Sequence, residues 1–76
     1  MSGRGVPGEP AADWSPGPED VAILRRLADG ATLQATARSV GLSERTVRRR
    51  LRTLAAQAGV ETTIATVVHA VRSGDI

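Results

Sequence analysis

Four stretches of the chain carry apolar residues at helical spacing, and each ends at a glycine. Val21, Ile23, Leu24 and Leu27 form the first stripe, before Gly30. Leu33, Ala37 and Val40 form the second, before Gly41. Val47, Leu51, Leu54 and Ala58 form the third, before Gly59, and Ile64, Val67, Val68 and Val71 form the fourth, before Gly74. Recurrence at i, i+3, i+4 and i+7 marks an amphipathic helix. A glycine just past a helix end adopts the left-handed conformation without steric cost. The pattern predicts helices over about 18–29, 33–40, 44–58 and 63–73, hence an all-α, four-helix fold.

The start signals agree with the stops. Pro18 suits a first helical turn, where its missing N–H would be unpaired anyway. Glu19 and Asp20 then meet the positive end of the helix dipole. Thr32, Ser43 and either Thr62 or Thr63 stand where N-caps are needed. Leu42 and Val47 have the spacing of a hydrophobic staple around Ser43. The fourth segment is rich in β-branched residues, which lowers helix propensity. Propensity alone would allow a strand there, but the spacing and the cap-and-glycine frame favour a helix.

Residues 1–16 differ in kind. They contain Gly3, Gly5, Pro7, Gly8, Pro10 and Pro16 and few large apolar groups. Such a composition cannot offset its ordering entropy by burial. A disordered N-terminal tail is expected over 1–16, and one helical domain over 17–76. Trp14, the sole aromatic residue, is either docked on the domain or exposed.

Composition narrows the chemistry. The chain has 76 residues, no cysteine and one histidine, His69. Disulfides and thiolate metal sites are excluded, and one histidine cannot hold a metal alone. No cofactor and no metal site are expected. Convergent carboxylates, a nucleophile–histidine pair and a phosphate-cradling glycine loop are all missing, so an enzyme is not expected. No apolar run approaches the ~18 residues that suggest a membrane span. The expected setting is the cytoplasm. On the fourth helix, His69 reads as a solvated or interface residue.

Net charge is only +2, yet its placement is uneven. Every cation is arginine, and five of the ten (Arg45, Arg48, Arg49, Arg50 and Arg52) fall between positions 45 and 52. Glu44 is the one acidic neighbour, at the (i, i+4) distance from Arg48. The third helix is therefore apolar on one side and arginine-rich on the other. A short helix, a turn over 40–43 and a longer helix form a helix-turn-helix pattern. With the apolar side packed inward, the arginines must project outward. Guanidinium groups pair bidentately with phosphate or with guanine edges. The expected partner is double-stranded DNA, with the third helix in the major groove. Glu44, Arg45, Arg48, Arg49 and Arg52 are the candidate base contacts. The alternative is an interaction module or sigma-region-four-like domain that sets this arginine face on an acidic protein or on RNA polymerase.

The residues from Leu24 to Ile76 also carry a family resemblance. "LADG", then "AR..GLSERTV", then "AGV" and a final "A...GDI" resemble the LuxR-type (GerE-like) helix-turn-helix domain. Its most specific piece is Gly41-Leu42-Ser43-Glu44-Arg45-Thr46-Val47. The resemblance implies four helices, the third reading DNA and the fourth forming a homodimer interface. It implies base reading by Arg48, Arg49 and Arg52. It places Thr46 and Arg50 on phosphate, with Thr32 and Gln34 approaching the backbone; Ser43 completes that phosphate set. The dimer stripe would be Ile64, Val67, Val68 and Val71. Some positions depart from the family pattern. Thr36 replaces an isoleucine, Arg50 a histidine, Gln57-Ala58 a Lys-Leu pair, and Thr63 an arginine. The family is usually joined to a receiver or ligand-binding domain, and the chain shows none, so it is a stand-alone member or a piece.

Overall fold

The computed structural model describes residues 13–76, and among them it contains four α-helices and no strand. These are α1 (Pro18–Ala28), α2 (Leu33–Val40), α3 (Glu44–Ala58) and α4 (Thr63–Arg72). Helices α1 and α4 end one residue earlier than expected. Asp29 and Ser73 serve there as C-caps.

Local chemistry sets the boundaries. Asp20 reaches back to accept the Gly17 N–H at 3.1 Å, holding the start of α1. Thr32 Oγ1 accepts from the Ala35 N–H at 3.0 Å, Ser43 Oγ from Thr46 at 3.1 Å and Thr62 Oγ1 from Ala65 at 3.0 Å. Each satisfies an N–H that the helix cannot pair internally. Helices α2 and α3 stop alike. Gly41 and Gly59 both adopt φ of 74°. The following N–H groups then turn back, Leu42 to Ala37 at 3.0 Å and Val60 to Ala55 at 2.9 Å. This closure occupies carbonyls that the helix leaves without an internal partner, and Leu42 then packs on the core.

The core comprises Ile23 and Leu24 of α1, Ala37 of α2, Val47, Leu51 and Leu54 of α3, and Ala70 of α4. Leu27, Leu33, Val40, Leu42, Val67 and Ile76 pack around it, partly buried. Helix α3 is the central element, because its whole expected apolar side faces this cluster, with Ala58 half-buried at its end.

The apolar stripe of α4 is turned differently from a simple core stripe. Thr66 and Ala70 are fully buried, and Val67 is half-buried beside them. Ile64 is 77% exposed, Val71 53% and Val68 42%. Small inward residues let α4 approach its neighbours closely, while the larger branched groups stay outside. The hydroxyl of Thr66 is accommodated because it donates to the Thr62 carbonyl at 2.8 Å. Thr36 on α2 is equally buried, but its Oγ1 has no partner.

Residues 1–12 of the expected tail lie outside the described residues. In the remainder of that segment, Asp13 and Ser15 are exposed and Trp14 is docked. Trp14 Nε1 donates to Asp75 Oδ2 at 2.9 Å, and the indole meets the His69 ring edge-on at 4.5 Å between centroids. Trp14 also packs on the core cluster. Trp14 is thus docked against α4 and the residues that follow it.

Candidate nucleic-acid interface

The site begins with the turn between α2 and α3. Gly41 ends α2, Leu42 packs inward, and Ser43 starts α3 two residues after the glycine. So brief a connection fixes the second helix relative to the first. Ser43 Oγ also donates to Thr46 Oγ1 at 3.0 Å. That bond occupies the Ser43 proton and leaves the Thr46 hydroxyl proton free to donate outward.

Along α3 the helical repeat separates two faces. Val47, Leu51 and Leu54 are buried. Arg45, Arg48, Arg49 and Arg52 are all exposed. A shallow depression runs along this outer side, lined by Arg45, Thr46, Arg49, Arg52, Thr53 and Ala56. Thr53 Oγ1 donates to the Arg49 carbonyl at 3.2 Å. Thr53 and Ala56 were not among the sequence candidates, although extending the spacing from Arg45 and Arg49 would have reached both. Arg52 also borders a second depression, shared with Leu33 and Arg48 and with Thr62 and Thr63 at the start of α4.

Four of the five candidate base contacts are therefore exposed cations on one helix. Glu44, the fifth, is half-buried and meets Arg48 at 3.6 Å. An exposed pair of this kind contributes at most about 1 kcal/mol. It leaves most of the positive field available to a polyanion. Thr32 and Gln34 are exposed at the start of α2.

Arg50 lies apart from the other arginines. Its Nη2 stands 2.8 Å from Glu19 Oε1, and its Nη1 is 3.3 Å from Asp20 Oδ1. Its Nε is buried without a partner. The residue expected on phosphate thus spends its guanidinium on the first turn of α1. The partners lie some thirty positions away in sequence, and no local pattern announces them. Among the described residues no cluster of His, Asp and Glu is arranged to hold a metal ion. None of the helices is long and apolar enough to cross a membrane.

An all-α unit with a tight turn before an arginine-faced helix defines a helix-turn-helix protein. The chain matches the homeodomain-like domain family over residues 21–64, more than half its length, and belongs to that family. The match takes in most of α1, all of α2 and α3, and only the first residues of α4. No curated protein and no solved structure matches the chain.

Proposed function

We propose that this chain acts as a sequence-specific DNA-binding transcriptional regulator, with α3 lying in the major groove. One observation carries the reading: Arg45, Arg48, Arg49 and Arg52 occupy a single exposed face of the second helix of a helix-turn-helix unit. Residues near the start of such a helix reach base edges, and its flanks grip phosphate. Glu44, Arg45, Arg48, Arg49 and Arg52 address the bases. Thr32, Gln34, Ser43 and Thr46 approach the backbone.

Within the wider family, the LuxR-type assignment is supported by the "GLSERTV" stretch and by the presence of a fourth helix beyond the matched region. The dimer is part of the same reading. Ile64, Val68 and Val71 stand exposed on one side of α4, with Val67 bridging from that stripe to the core. A second copy covering this stripe would give a twofold dimer with half-sites roughly 34 Å apart.

Binding to duplex DNA measured across salt concentrations tests the proposal. Each neutralised phosphate contributes a slope of about −0.9 in log K against log salt. Four arginines brought into the groove displace condensed counterions whichever atoms they bond, which gives a slope of up to roughly −3. Affinity that salt leaves unmoved would end the proposal. So would capture of an acidic protein by a chain that shifts no duplex. Selection from a random DNA pool should return a palindrome.

A further inference from the structure

Glu19 and Asp20 pose a problem for any polyanion that approaches α3. Asp20 shares a hollow with Arg49, Arg50 and Thr53. Arg49 and Thr53 also line the outward depression of α3. Asp20 therefore sits at the rim of the proposed DNA face, and Glu19 stands beside it, against the same Arg50 guanidinium. Unpaired, they would repel phosphate, since charges within a Debye length of about 8 Å still interact at physiological salt. They would also offer Arg49 an intramolecular partner in place of DNA.

Arg50 occupies both carboxylates. One guanidinium nitrogen meets Glu19 at 2.8 Å and the other meets Asp20 at 3.3 Å. The second oxygen of Asp20 is held by the Gly17 N–H. The Arg50 side chain is 37% exposed and its Nε is enclosed, so the group is directed toward α1. We propose that Arg50 is a positioning residue that supports DNA binding without touching DNA: it engages both Glu19 and Asp20, offsets one of their two negative charges and leaves Arg49 free to face outward. This role rests on the DNA-binding reading above and replaces the phosphate contact expected for Arg50 from sequence.

A double-mutant cycle on the full chain separates the two roles, because residues that act through one another are non-additive. Arg50→Gln is measured in the natural background and in Glu19→Gln/Asp20→Asn. The amide that Asp20→Asn introduces keeps a carbonyl oxygen to accept the Gly17 N–H. In the natural background, duplex affinity at low salt should fall roughly three- to tenfold. In the neutralised background it should change less than about twofold. Equal losses in both backgrounds would put Arg50 on a phosphate and overturn the proposal, as would no loss in either. If Arg50→Gln is unfolded by circular dichroism, Glu19→Gln/Asp20→Asn alone decides. Affinity at or above the natural level with an unchanged salt slope supports the role, and weaker binding overturns it. A natural chain that binds no duplex at low salt removes the DNA reading and this role together. That result is distinct from every outcome in which the natural chain binds.

Discussion

Helices α3 and α4 divide polar and apolar groups in opposite ways. Helix α3 turns Val47, Leu51 and Leu54 inward and four arginines outward. Helix α4 turns Thr66 and Ala70 inward and leaves Ile64, Val68 and Val71 in solvent. The first is an ordinary amphipathic helix whose outer face is unusual only in sign. The second has its larger aliphatic groups on the side away from the core. An arginine face repels its own copy and attracts a polyanion. An exposed aliphatic face gains most from a partner that excludes water. One small domain therefore presents two surfaces suited to different partners.

Truncating the inward side of α3 costs the domain most. Leu54 is a buried member of the core cluster, 2% exposed. Leu54→Ala should destabilise the chain by about 2–5 kcal/mol, combining lost transfer energy with a cavity. A domain this small has roughly 5–10 kcal/mol of total stability at most. Urea unfolding followed by circular dichroism reads the loss. A cost below about 1 kcal/mol would show that α3 is not the central element.

On the outer side of α4, Ile64→Ser should leave monomer stability within about 0.5 kcal/mol of natural, because the side chain is already in water. It should nevertheless weaken self-association by roughly 1.5–3 kcal/mol per protomer, because a twofold dimer loses one buried isoleucine from each copy. Sedimentation equilibrium with and without a two-half-site duplex checks both numbers. Unchanged association would remove α4 from the proposed dimer interface.

On the outer side of α3, Arg49→Ala should cost about 1–3 kcal/mol of DNA affinity and relax preference at one base position. Comparison of selected and random duplexes distinguishes base reading from phosphate contact. A uniform loss on every sequence would move Arg49 to the backbone.

The two helices were not equally legible in the sequence. The bounds of α2 and α3 were local, written by Thr32 and Gly41 and by Ser43 and Gly59. The outward arginines followed from helical spacing once the apolar side was placed. The rotation of α4 was not local. Its most apolar stripe is not its most buried one, because close packing against α1 and α3 favours small residues over large ones. The Arg50 pairs and the Trp14–Asp75 bond were hidden for a related reason. Their partners meet only after the chain has folded, across 30 and 61 positions.

The smallest effect concerns the polar group that α4 keeps inside. Thr66 and Thr36 occupy equivalent places, each four residues after a capping threonine and each fully buried. Thr66 donates to the carbonyl of its cap, and Thr36 Oγ1 has no partner. A buried group without a partner keeps its full desolvation cost, about 1–3 kcal/mol. Thr36→Val removes the hydroxyl at nearly constant shape and should stabilise the chain by about 1 kcal/mol. Thr66→Val deletes a made hydrogen bond and should be neutral or cost up to about 1 kcal/mol. Thermal melting of the two variants side by side gives the difference directly. If Thr36→Val melts lower than the natural chain, its hydroxyl has a partner, and the distinction between the two buried threonines fails. If it melts higher while Thr66→Val does not, the hydroxyl on the inner face of α4 is tolerated because it is bonded.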